Sequence, residues 1–343
     1  MSNTTLATSE QKTQAQVENS LAQRLSIRNE LKKLSNDLLR NEIISGLNQD
    51  HKSISSKFFY NKRGSLLFEW ITKLPEYYPT RTEKAVIKRY APQLFGNQRS
   101  IDLVELGSGD CSKISLVLNA IPDHNRTSIT YRPVDFSESA VDSSTKLLNS
   151  RFPDLKIEGL VADFTQQLES LPYVQPRLIC FFGSTIGNFT PALAQKLLSQ
   201  IANTMNSGDQ LILGVDMVKD KNTIEAAYND SQRITEAFNK NILHAVNGYL
   251  QSDISPIDFK HIAFFNKTES RIEMHLEAKN ELWLESPYLA NPINIKAGEC
   301  IHTENSYKYT EQVINKMASQ SQLFVNDILY DDNKWFALVH LMK

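Results

Sequence analysis

The hydrophobic positions of this chain change rhythm along its length. Leu31, Leu34, Leu38, Ile43 and Leu47 recur at helical spacing among charged neighbours, which predicts an amphipathic helix. A second helical pattern covers residues 81–90, opening after Pro79 and expected to end at Pro92. From residue 101 the period shortens. Residues 101–106, 131–136, 156–161, 178–182 and 211–215 read as strands, the apolar ones suited to burial on both faces. Residues 113–120, 138–151 and 193–205 read as the helices between them. Strands alternating with helices predict a parallel sheet covered on both sides. After Lys219 the rhythm breaks. Residues 224–247 form a long helical stretch, and residues 262–265, 271–278 and 300–309 alternate apolar and polar positions as antiparallel strands do. Residues 324–329 and 335–341 close the chain as a hairpin across Asp331-Asp332-Asn333. The expected fold is α/β: a doubly wound, mostly parallel, Rossmann-like sheet with a C-terminal antiparallel hairpin, plus a smaller α+β lobe. Residues 1–20 are expected to be a flexible tail. Residues 21–81 and 218–308 form the smaller lobe in this reading, and residues 82–217 and 309–343 the domain built on the main sheet.

Composition narrows the class. The 343 residues are 41% hydrophobic and 22% charged, as in a globular protein with a substantial core. Lys plus Arg number 37 and Asp plus Glu 39, a net charge of −2, so no global basic footprint for nucleic acid exists. Cys111, Cys180 and Cys300 are too few and scattered for a disulfide framework or zinc ribbon, and read as reduced thiols. The polar start, residues 1–20, lacks an apolar stretch of signal-peptide length, and no run approaches the ~20 residues of a membrane span. A cytoplasmic protein without metal, membrane or nucleic-acid partners is expected.

Candidate chemistry gathers at the ends of the predicted strands. Val104-Glu105-Leu106-Gly107-Ser108-Gly109 is a strand feeding a glycine turn that opens a helix. Asp110-Cys111-Ser112 stands where a dinucleotide fingerprint has its third glycine, which argues against a pyrophosphate ligand. Asp135 ends the next strand, placed to accept from ribose hydroxyls. Asp163-Phe164 ends the third, offering an acceptor and an aromatic face to adenine, and Gly183 ends the fourth. Taken singly, each aspartate reads as a turn or capping residue. In register at the carboxyl ends of parallel strands, they favour a nucleoside. An acidic rim suits a cationic sulfonium better than a pyrophosphate. The constellation resembles class I S-adenosylmethionine-dependent methyltransferases.

Other strings sharpen the resemblance. Phe58-Phe59-Tyr60, Gly64-Ser65-Leu66-Leu67-Phe68, Leu74-Pro75-Glu76-Tyr77-Tyr78-Pro79-Thr80-Arg81-Thr82-Glu83 and Phe182-Gly183-Ser184-Thr185-Ile186-Gly187-Asn188-Phe189 resemble the histidine Nα-methyltransferases of ergothioneine biosynthesis. Val218-Lys219-Asp220, Ala237-Phe238-Asn239-Lys240-Asn241 and Arg271-Ile272-Glu273-Met274 do so too. The resemblance implies transfer of three methyl groups from S-adenosyl-L-methionine to the α-amine of L-histidine, giving hercynine. It implies that Asn188, Tyr60 and Tyr228 hold the amino-acid end and act as the catalytic set. It implies a pocket wall of Phe68, Tyr77 and Met274, and a lysine, Lys113, near the cofactor's carboxylate. Gly107, Ser108, Gly109, Asp135, Asp163, Phe164 and Gly183 are the remaining cofactor candidates.

Specificity is expected in His302-Thr303-Glu304-Asn305-Ser306-Tyr307. Strand alternation puts Glu304 and Ser306 on one face, about 7 Å apart. By resemblance these two grip the imidazole nitrogens. Pattern alone reads the same strand as a solvated face carrying His302, Glu304, Ser306 and Lys308. Related enzymes that methylate a prenylated tryptophan have no use for a buried carboxylate, so Glu304 argues for histidine. A monomer is expected. The alternatives are another aromatic amino acid or a histidine derivative as acceptor, and a binding protein that has lost turnover.

Overall fold

Thirteen strands, in chain order, carry the architecture of the computed structural model, which describes residues 24–31 and 35–343. They are β1 (Leu25–Asn29), β2 (Asp102–Leu106), β3 (Thr130–Asp135), β4 (Lys156–Val161), β5 (Arg177–Phe181), β6 (Gln210–Asp216), β7 (Phe259–Asn266), β8 (Arg271–Ala278), β9 (Leu282–Leu284), β10 (Ile293–Ile295), β11 (Cys300–Tyr307), β12 (Phe324–Tyr330) and β13 (Phe336–Met342). Eight make one sheet in the order β1-β4-β3-β2-β5-β6-β13-β12. Strands β1 to β6 run parallel, while β13 is antiparallel to β6 and hairpins with β12. Every residue of β2 and β5 is buried, including Asp102 and Glu105 on β2 and Arg177 on β5, as suits strands covered on both faces. From β2 the chain winds outward through β3 and β4, then returns to β5 on the other side. The order therefore reverses between β2 and β5, where doubly wound sheets open a crevice at their carboxyl ends.

The insertion builds a separate antiparallel sheet, β11-β8-β7, and the short hairpin β10-β9. Helix Ile234–Leu250 packs on it. Phe59, Ile242, Leu243, Val246, Ile272, Leu276 and Ile301 form part of a core distinct from those flanking the main sheet. Helices Asn36–Leu47 and Lys62–Ile71 close this second core with Ile43, Leu47, Leu67 and Ile71.

Several expectations are corrected. Residues 25–29 do not join the second lobe: β1 pairs in parallel with β4, from Leu25 opposite Ile157 to Asn29 opposite Val161. The first described helix starts only at Asn36, where Ser35 Oγ accepts from the Leu38 N–H at 3.3 Å. Leu31 therefore precedes it, while Leu34 and the expected tail lie outside the described residues. Helix Tyr78–Phe95 runs through Pro92 instead of ending there. One lost N–H bond near the helix end is outweighed by the burial of Ala91, Leu94 and Phe95. The stretch 224–247 divides into Lys221–Ala226 and Ile234–Leu250. Between them Asp230 accepts from the N–H groups of Ile234 and Thr235, both at 2.8 Å, and so restarts the helix. That interruption carries Tyr228. Among the described residues no helix is long and apolar enough to cross a membrane.

Candidate active site

The glycine turn after β2 takes left-handed backbone at Gly107 (φ 70°) and Gly109 (φ 51°), which glycine adopts without penalty. The Gly109 N–H donates to Asp135 Oδ2 at 3.1 Å, and Ser137 N–H to Oδ1 at 2.9 Å. The ends of β2 and β3 are thus locked together. Burial holds the Asp135 carboxyl above its ordinary value, although these backbone donors oppose the shift. Ser108 is buried and its Oγ has no partner among the described residues. Phe164 lies against Phe181, ring centres 5.5 Å apart, and its edge is 3.8 Å from where a Gly107 side chain would begin. The orphaned Ser108 hydroxyl, a carboxylate without a cation among the described residues and an aromatic face around a glycine-rich turn fit a nucleoside with free ribose hydroxyls. Asp163 is more committed. Its Oδ1 accepts from Thr165 N–H at 2.9 Å and Oγ1 at 2.6 Å, and Oδ2 from Gln166 at 2.9 Å. Asp110 caps the following helix by accepting from Ser112.

Lys113, on the helix that follows the glycine turn, is paired. Buried Glu83 reaches it at 2.7 Å from helix Tyr78–Phe95, and its other oxygen accepts from the Gly183 N–H at 2.6 Å. Glu83 was not singled out in the sequence, where it reads as one more helical carboxylate.

After Gly183, Asn188 ends a short turn at residues 185–188. Gly187 allows that turn to lie on the end of β11, since a side chain there would sit 2.9 Å from the Tyr307 carbonyl. The cofactor end of β5 and the end of the specificity strand are thereby brought together. The Asn188 carboxamide has no protein hydrogen bond in the described residues.

An aromatic group faces this junction. Phe68 packs on Tyr60 (5.9 Å), Tyr77 (6.4 Å) and Phe238 (5.9 Å), and Tyr77 meets Tyr228 edge-on at 6.2 Å. Tyr60 is 47% exposed. Desolvation, then Glu304, Tyr228 and Asp135, hold its phenol above the ordinary value, which puts its hydroxyl in the field of both halves of the site. Burial raises Tyr77 and Tyr228 as well, so all three remain phenols at neutral pH. Met274 is buried in the second core and lies opposite Glu304 across the β8–β11 pair.

The strand face is not solvated. A bulge between His302 and Glu304 breaks the alternation. Thr303 turns inward to Asn239 Oδ1 (2.6 Å), and His302 joins Asn305 (2.9 Å) and the ring of His275. Glu304 and Ser306 remain together. Ser306 Oγ accepts from Tyr228 and from Lys308, both at 2.8 Å. Lys308 is 4% exposed and pairs with Asp216 Oδ2 at 2.8 Å. Asp216 also binds Lys219 and accepts from Tyr78 Oη at 2.8 Å. Against the upward push of burial, Lys308 and Lys219 keep Asp216 below its ordinary value. Neither Asp216 nor Lys308 was given a role by sequence pattern. Among the described residues no side chain hydrogen-bonds the Glu304 carboxyl; burial pushes it up to about 7, with Lys308 opposing. Two open clefts of about 300 and 380 Å³ near Arg233, Glu236 and Lys240 contain none of the predicted residues.

The sequence profile of a family described as "Histidine-specific methyltransferase, SAM-dependent" matches residues 39–343. Histidine N-alpha-methyltransferase of Mycolicibacterium smegmatis is 38% identical over 82% of this chain and 88% of its own length. The protein of the same name from Mycobacterium tuberculosis is 36% identical over 85% and 91%. Ergothioneine biosynthesis protein 1 of Schizosaccharomyces pombe is 26% identical over 76% of this chain and 35% of its own length.

Proposed function

This chain belongs to the S-adenosylmethionine-dependent, histidine-specific methyltransferase family, and on that premise we infer that it methylates the α-amine of L-histidine. Three successive transfers, to hercynine, complete the reading, as a step toward ergothioneine. The observation that carries it is Glu304, a half-buried carboxyl with no hydrogen-bond partner among the described residues, beside a hydroxyl already held by Tyr228 and Lys308. An imidazole offers a ring N–H to the first and a bare nitrogen to the second.

S-adenosyl-L-methionine supplies the methyl group as a sulfonium, with a neutral thioether as leaving group. Gly107, Ser108, Gly109, Asp135, Phe164 and Gly183 are the residues that would hold it, with Asp163 shaping the adenine end through its turn. Lys113, balanced by Glu83, sits toward its carboxylate. The protein's share is alignment and exclusion of water, which can account for a large part of such a barrier. Asn188 and Tyr60 orient the amine, and Tyr228 the amino-acid end. Because the phenols stay protonated, they act as hydrogen-bonding groups, and the amine reacts as the neutral form after its proton passes to water. The ring faces of Tyr60, Phe68, Tyr77 and Phe238 favour the growing quaternary ammonium, which supports continuation to the third methyl. Residues 35–81 and 218–308 form the substrate lobe in this reading. The enzyme is a cytoplasmic monomer acting on a small molecule.

The test is incubation with S-adenosylmethionine and each of the twenty amino acids, with mass spectrometry counting the methyl groups gained. Histidine carrying three is expected. Preferential methylation of another aromatic amino acid moves the assignment to that acceptor, and no product with any of them overturns it.

A further inference from the structure

The geometry points to Lys308 as the positioning residue that fixes which way the Ser306 hydroxyl faces, so that the pocket presents one donor and one acceptor to the substrate ring. The inference rests on Glu304 and Ser306 facing that ring. An ammonium has three N–H groups and no lone pair. All three are engaged here: with Asp216 Oδ2 at 2.8 Å, Ser306 Oγ at 2.8 Å and Tyr228 Oη at 3.3 Å. Both hydroxyls are therefore forced to accept from Lys308. They also share one hydrogen bond with each other, at 2.8 Å. Two hydroxyl protons enter this triangle and one is used inside it. The other leaves it. The phenol is the better donor of the two, so Tyr228 donates to Ser306. Both Ser306 lone pairs are then occupied, and its own proton points out of the network as a donor. Glu304, unpartnered on the same face, supplies the acceptor. A ring with one bare nitrogen and one N–H satisfies both groups. A ring with only an N–H leaves Ser306 unpaired.

The arrangement is poised to survive the test. Asp216 is shared between Lys308 and Lys219. Replacing Lys308 with methionine leaves one carboxylate facing one ammonium, a balanced buried pair.

The experiment compares kcat/KM for L-histidine with that for 3-(pyrrol-2-yl)alanine, whose ring keeps an N–H and lacks the bare nitrogen. The wild-type protein is expected to prefer histidine by about ten- to a hundredfold, the effect of stranding one buried donor. In Lys308→Met the Ser306 proton is free to turn toward Tyr228, and most of that preference disappears, chiefly through KM. In a Ser306→Ala background, Lys308→Met has no further effect on the ratio, whereas a merely structural lysine would leave the ratio intact in either background. Lys308→Gln keeps N–H donors toward both hydroxyls and is expected to retain the preference. Its loss in Lys308→Gln, or its persistence in Lys308→Met, overturns the inference. If Ser306→Ala itself leaves the ratio unchanged, the underlying placement of the ring fails instead.

Discussion

At Glu304 a half-buried carboxyl meets no hydrogen-bond donor among the described residues, and this makes it sensitive to pH. Burial holds its proton on up to about pH 7; above that it ionises and accepts from an imidazole N–H. The expected outcome is a kcat/KM for histidine that rises through pH 7 in the wild type. Glu304→Gln removes the carboxyl's contribution, leaving the rise from the substrate's own imidazole at about 6.5 and the later one from the amine. Glu304→Ala should lower kcat/KM for histidine by about 5- to 150-fold, the 1–3 kcal/mol of an unmet buried donor. Tryptophan should gain relative to histidine, measured as the ratio of their kcat/KM values. The shared face of Glu304 and Ser306 was legible because strand side chains alternate. The same rule misplaced His302, because a bulge at Thr303 is set by the fit of Thr303 to Asn239 and Met274, contacts distant in the chain. It also left Lys308 in solvent, since its burial depends on Asp216 at the end of another strand.

Helix Tyr78–Phe95 shows how an element can serve two sites. Its first residue, Tyr78, donates to Asp216 behind the ring pocket, while Glu83, a little more than one turn on, holds Lys113 and the Gly183 N–H at the cofactor end. Glu83→Gln keeps an acceptor for only one of those two donors. The expected result is weaker S-adenosylmethionine binding by about 1–3 kcal/mol in calorimetric titration, the size of a stranded buried donor. Unchanged affinity would mean that Glu83 only fastens the helix. The helix itself was legible from its period. Its length was not, because Pro92 is a stop signal that burial of the last turn overrides. The break at Tyr228 was carried by Asn229-Asp230-Ser231, a turn and capping signal that the helical periodicity on either side outweighed, with Asp230 capping the next helix.

Across the whole molecule, the alternation of buried strands and helices made the doubly wound sheet readable, while its two edges differed: the C-terminal hairpin was marked by a turn of three polar residues, β1 by almost nothing. The central strands also carry a pH signature. Glu105, buried on β2 and hydrogen-bonded by Tyr131 Oη at 2.5 Å, is pushed by burial up to about 8. The folded chain keeps this proton where the unfolded chain releases it, between the ordinary carboxyl value and pH 8. Stability therefore falls as pH rises across that window, by at most about 1.4 kcal/mol per unit. Glu105→Gln should lose that slope, seen as a smaller drop in Tm from pH 5 to pH 8 than the wild type shows. The outer edge carries a different consequence. β1 exposes nearly all its side chains, yet its backbone occupies the whole flank of β4, and Glu30 N–H extends the cover to the Val161 carbonyl at 3.0 Å. A chain shortened to begin at residue 32 would present that flank as a row of vacant peptide groups, a template for another copy of the same sheet. Such a protein should self-associate as its concentration rises, read as increasing mass by light scattering, where the 343-residue chain holds constant.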